Sequence, residues 1–155
     1  MAMDYIKSIL DIVTLLAILT AIWQLLFHAR QMHRDLEMHF VDQYWEIMRR
    51  ASNEWRLTYL LEPPKTLDDR RVAHEYLQLC EDEIDLRANA RVTDSTWFIW
   101  AGSIASMVAI PHFADSLRNA PDIMYPKLRV MMSQPAPEKH DPCVRSRVWR
   151  RFHGL

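Results

Sequence analysis

Ile9 to Ala29 reads ILDIVTLLAILTAIWQLLFHA, and the reading of this stretch decides the fold. Every position from Ile12 to Phe27 is apolar except Thr14, Thr20 and Gln24. A helix rises about 1.5 Å per residue, so about 20 residues cross a hydrocarbon core of about 30 Å. The run meets that length when Asp11 sits among the headgroups and Trp23 lies in the far interfacial belt. Two rivals fit a run of this kind, a buried core helix and a signal peptide. A core helix is usually shorter and striped, whereas this one is apolar around its whole circumference. A signal peptide wants a basic start and a small-residue cleavage site; here there is a lone Lys7, and the run exits through Phe27-His28-Ala29-Arg30. The sequence therefore predicts a retained transmembrane anchor over residues 1–30.

The flanks give the anchor a direction. Before it the only cationic side chain is Lys7, offset by Asp4 and Asp11; after it come Arg30 and Arg34, then Arg49 and Arg50. The positive-inside bias places everything beyond the anchor in the cytoplasm, on the inner membrane, as a single-pass protein.

About 125 residues then remain, enough for one small domain. The chain has only two glycines, Gly102 and Gly154, which removes the turns an all-β fold needs and the glycine-rich loops that cradle phosphates. A net charge of −1 gives no global field for nucleic acid. Cys80 and Cys143 stand apart in no zinc or CxxC spacing, and read as a core thiol and an exposed tail thiol.

From Gln31 no proline or glycine intervenes until Pro63, so the anchor is expected to continue as a stalk helix to Leu61. Leu36, Phe40, Tyr44, Ile47, Ala51 and Trp55 keep to one face of a 3.6-residue period. Pro63-Pro64 stops the helix, and Thr66 followed by Asp69 is a near capping box for the next, which runs to about Asn89. On it Ala73, Leu77, Cys80 and Ile84 share a face. Trp97–Ile110 carries no charge and reads as a central core helix packed on three sides, with a second membrane segment as the alternative. Short helices are expected at His112–Asn119 and Ile123–Met132, closing a bundle over residues 31–133. The segment 134–155, with its prolines and arginines, reads as a loose basic tail.

Several clusters invite a chemical reading. The acidic run Glu81, Asp82, Glu83, Asp85 has no Glu-x-x-His partner and reads as a solvated face, or as a dock for the tail; no metal or cofactor is expected. His28, His33 and His39 scatter around a helix and suit the headgroup region. Arg145, Arg147, Arg150 and Arg151 interleave with Trp149 and Phe152. That pattern fits an anionic lipid surface at about 1 kcal/mol per cation, with RNA phosphate and the chain's own acids as competitors. Arg147 and His153 are spaced Arg-x5-His, a spacing found in the HEPN-type helical ribonucleases, whose Arg and His form a composite site across a dimer. Gln24 is a polar residue inside the span, able to hydrogen-bond a neighbouring copy or to sit at its cytoplasmic edge.

Tyr44-Trp45-Glu46-Ile47-Met48-Arg49-Arg50, the block from Tyr76 to Asp85, and Thr93-Asp94-Ser95-Thr96-Trp97-Phe98-Ile99-Trp100 together resemble a family of uncharacterised bacterial proteins. Its members join one N-terminal anchor to a small helical domain. The layout is also similar to the membrane-anchored HEPN-like accessory proteins of type VI CRISPR systems, an analogy of architecture. The expectation is thus an all-α, self-associating, non-enzymatic interaction or effector module on the lipid bilayer, in bacterial defence or stress response. The alternative is a HEPN-like ribonuclease acting through Arg147 and His153.

Overall fold

The computed structural model describes residues 2–153 and 155. The side chains of residues 1–4, 8, 152 and 154, and with them the readings of Asp4 and Phe152, lie outside the described ones. Among the described residues there are seven α-helices, one short 3-10 turn and no strand, in agreement with the all-α expectation.

The first helix, α1, runs without interruption from Ala2 to Arg50, 49 residues and about 70 Å of axis. Its most apolar 18-residue window has a mean hydropathy of 2.2, and none of that window is buried. Leu15, Leu16 and Leu19 are each more than half exposed. The helix is long and apolar enough to cross a membrane. Its last turns behave differently: Ile47 and Met48 are buried, while Phe40 and Tyr44 pack partly against the same core. One rigid element therefore joins a wholly exposed apolar segment to the interior of the bundle.

The expected continuation to Leu61 does not occur. α1 stops at Arg50, and a separate helix, α2, spans Asn53–Thr58. The break sits at Ser52, whose ψ of 148° is extended. Its N–H donates to Asp69 Oδ1 at 2.9 Å and its hydroxyl to Asp69 Oδ2 at 3.2 Å. In an unbroken helix that N–H would serve the carbonyl four residues back; here the buried Asp69 takes it. The Ser52 hydroxyl then caps α2 by accepting from Trp55 N–H. Asp69 also closes the capping box with Thr66, so one carboxylate orders two helix starts. Burial works to raise its pKa, but donors from Ser52 and Thr66 hold it below the ordinary carboxylate value.

The third helix, α3, spans Leu67–Ala88 and is the centre of the bundle, meeting α1, the fourth helix α4 (Asp94–Val108), the fifth α5 (Pro111–Asn119) and the sixth α6 (Pro126–Met132). Ala73, Leu77, Cys80 and Ile84 are almost fully buried, as their spacing predicts, and Val72, Tyr76 and Leu79 widen that face. α3 ends with the two backbone bonds of a Schellman motif, Arg91 N–H to Leu86 O and Ala90 N–H to Arg87 O. Ala90 takes the left-handed φ of 56° that this ending requires, a conformation that costs a residue with a Cβ about 1–2 kcal/mol.

α4 is not the central helix its composition suggests. Trp97, Ala101, Ile104 and Val108 face the core, but Phe98 and Ile99 are 79% and 65% exposed. Absence of charge is a property of composition; only the four-residue stripe is buried, with Trp100 and Met107 packed partly against the core beside it. α5 begins on Pro111, one residue before its expected start. α6 begins at Pro126 rather than Ile123, which is exposed. Pro126 excludes the preceding residue from helical geometry, and Tyr125 sits at φ 58°.

The segment after residue 133 is not loose. The 3-10 turn Pro137–Lys139 packs along α4, Trp97 Nε1 donates to the His140 carbonyl at 3.0 Å, and a last helix, α7, spans Arg147–Phe152. Cys143, expected to be exposed, is 9% exposed.

Candidate functional site

The segment returns because α3 carries a cation where its apolar stripe continues. Arg87 follows Cys80 and Ile84 on the buried face and is 1% exposed. A guanidinium withdrawn from water needs acceptors for all its donors. Nε donates to Asp141 Oδ1 at 2.8 Å, and one terminal nitrogen to the Val92 carbonyl at 2.8 Å. The other meets Asp94 Oδ1 and Asp141 Oδ2, both at 2.6 Å. Burial works against the charge, but the bonds to Asp141 and Asp94 outweigh it and keep Arg87 protonated. Burial likewise tends to raise Asp141, while Arg87 and the Cys143 N–H hold it below the ordinary range.

A second arginine joins from α7. Arg150 is 6% exposed; its Nε lies 2.8 Å from Asp94 Oδ1, and a terminal nitrogen lies 3.4 Å from Asp141 Oδ2. The Nε is not aligned as a hydrogen-bond donor to Asp94, so this contact is an ion pair by proximity. Arg150 also donates to the Arg145 carbonyl at 3.0 Å, which closes the turn before α7. Two arginines and two aspartates, from α3, α4, the segment before α7 and α7 itself, thus form one cluster.

The cluster sits at a defined end of the bundle. Glu37 of α1 accepts from Thr93 N–H at 2.9 Å and from the Thr96 hydroxyl at 2.7 Å, at the start of α4. His33 Nδ1 donates to the Arg91 carbonyl at 2.9 Å. Phe40 meets Trp100 one turn further on, so α4 runs alongside α1 with its N-terminus toward the apolar segment. Asp94 and the tail held to it occupy that same end. Residues 33 and 37 are about 6 and 12 Å along the helix from Ala29.

No family model, curated protein or solved structure matches this chain. The meaning of the site rests on its own geometry.

The arginines of the tail singled out by sequence divide into two kinds. Arg150 is structural, committed to Asp94 and Asp141. Arg145, Arg147 and Arg151 are exposed, and Arg145 lies over the Trp149 ring at 5.1 Å from its centroid. Trp149 stacks on His153 with ring centroids 3.8 Å apart. Arg147 and Arg151 line a cleft of about 440 Å³ with Lys139 and the exposed Phe98, over a floor formed by the cluster. His153 is not among the residues lining it; its Nδ1 donates to the Trp149 carbonyl at 2.9 Å. Six residues apart, Arg147 and His153 point about 120° away from each other around α7 within one copy.

The acidic run does not act as one face or as the tail's dock. Glu81 is buried and accepts from the N–H groups of Lys127 and Leu128, capping α6 at 3.1 and 2.8 Å. Asp85 pairs with Lys127, and Asp82 accepts from Gln78. Glu83 turns toward α1 and α4. Among the described residues no group of three metal-ligating side chains converges. Arg87, Asp94 and Asp141 went unremarked in sequence, although a cation on the stripe of Cys80 and Ile84 was a readable signal.

Proposed function

We propose that this chain is a membrane-anchored helical interaction module. Residues 9–29 of α1 span the inner membrane, the bundle stands in the cytoplasm, and the clamped tail turns its free arginines toward the anionic headgroups. The observation that carries this reading is the continuity of α1 from an unburied apolar segment into the bundle core. Such a helix sets the height and rotation of the bundle relative to the bilayer. The tail's distance from the end of the span is comparable with a Debye length of about 8–10 Å, so Lys139, Arg147 and Arg151 feel the surface charge there.

Assembly through the span and stalk completes the proposal. Met38 and Trp45, both 57% exposed, lie on α1 beyond the span, where lipid tails do not cover them. Gln24 offers a hydrogen bond to a second copy within the apolar layer. The test is the mass of the full-length protein in a mild non-ionic detergent. A discrete oligomer is expected, and it should become smaller when Trp45 and Met38 are changed to glutamate. A monomer at every protein concentration overturns self-association.

A further inference from the structure

Between α1, α3 and α4 lies a second cavity, of about 480 Å³, which shares no lining residue with the cleft over the arginine–aspartate cluster. Five aromatic rings line it: Phe40, Tyr44, Tyr59, Tyr76 and Trp100. Phe40 and Trp100 meet at 5.9 Å and 39°, Tyr44 and Tyr76 at 6.1 Å and 70°, so the rings wall the space rather than stacking shut. One carboxylate, Glu83, lines the same cavity. It forms no hydrogen bond or ion pair with any described residue, and no lysine or arginine lines the wall.

We infer that this cavity binds a small organic cation with an alkylated ammonium head, held over the aromatic faces with Glu83 as its counter-ion. The chemistry selects the class. Ring faces attract a cation through their quadrupole, and quaternary ammonium groups are the ligands such walls take best. A primary ammonium would bring three N–H donors, and besides Glu83 only hydroxyls such as those of Ser103 and Ser106 are present to receive them. Calcium needs six to eight oxygens and zinc a set of nitrogen, sulfur or carboxylate ligands, neither of which the lining supplies.

The state of Glu83 shows what a cation would relieve. Burial, with a smaller contribution from Asp82, pushes the Glu83 carboxyl up to about 8. The groups facing it are Tyr76 and Cys80 on α3, Tyr44 on α1, Tyr59 beyond α2, and the serines of α4. Tyr44 is itself raised to about 12 by burial, and burial holds Tyr76 and Cys80 protonated, so none competes as an anion near neutral pH. A bound cation lowers the Glu83 value, so binding at pH 7 releases close to one proton. Affinity then rises about tenfold per pH unit up to 8 and levels above it.

The experiment is calorimetric titration of the full-length protein in maltoside with choline and benzyltrimethylammonium. Neutral 3,3-dimethylbutanol, the isostere of choline, serves as control. The expected result is saturable binding of the two cations, proton release measured across buffers of different ionisation enthalpy, and no comparable binding of the alcohol. Glu83→Gln should weaken cation binding about tenfold at pH 8.5 while the thermal melt is retained. Ser103→Lys, at an exposed position of the wall, supplies a cation of the chain's own and should abolish binding independently. Equal binding of choline and its neutral isostere, or no binding of either cation to the folded protein, overturns the inference.

Discussion

Replacing Arg87 by methionine is expected to cost the bundle about 3–5 kcal/mol and to free the segment after residue 133. Arg87 is 1% exposed and satisfies both Asp94 and Asp141. Its removal leaves two carboxylates facing one remaining cation, Arg150, with part of their desolvation uncompensated. A second change, Asp141→Leu, should restore much of the loss, because Asp94 and Arg150 then remain as one matched pair and an apolar pair fills the vacated space. Thermal melts of the full-length protein measure the stability. Limited trypsin digestion at Arg145–Arg151 measures release of the tail. A single variant as stable as the parent, or a double variant worse than the single, contradicts the role given to Arg87. Two carboxylates, Asp141 in this cluster and Asp69 at the start of α3, give an acid limb. Asp141 and Asp69 both have folded-state pKa values held below the unfolded one, so their contribution is present above about pH 4 and is lost as pH falls through the lower folded values. Sensitivity of the tail to pepsin, which is active at low pH, should therefore appear on acidification before the bundle melts.

The second large effect belongs to the proposed span. Leu16→Arg with Leu19→Arg places two cations near the middle of Ile9–Ala29, at about 2.5–3.5 kcal/mol each. Together they should abolish membrane retention measured as resistance to alkaline carbonate. Met38→Arg with Trp45→Arg supplies the matched control, since those residues are as exposed as the leucines but lie beyond the span. Retention should survive there. If both pairs behave alike, the apolar segment is not selected by the bilayer.

Much of this architecture was legible in the chain because its signals are local. The Thr66 cap, the stripe from Ala73 to Ile84 and the prolines at 63 and 111 act within one or two turns. What was missed depends on partners distant in sequence. The end of α1 at Arg50 is set by Asp69, which draws the Ser52 N–H from a position 17 residues on. The tail is ordered by Arg87, 54 residues before Asp141. The lack of charge in α4 suggests a central place but says nothing of which side is packed. Glu83 reads in sequence as part of an acidic run, although it continues the face of Tyr76 and Cys80, the position at which a carboxylate turns inward.

The most direct test of the membrane account is the side of the bilayer on which residue 144 lies. Val144 is 91% exposed, whereas the native Cys80 and Cys143 are buried, so a Val144→Cys variant adds one accessible thiol for comparison with the parent. A membrane-impermeant maleimide should leave it unlabelled in intact spheroplasts and label it fully once the membrane is opened. Labelling in intact spheroplasts would put the bundle outside, and the proposed cytoplasmic orientation would fall.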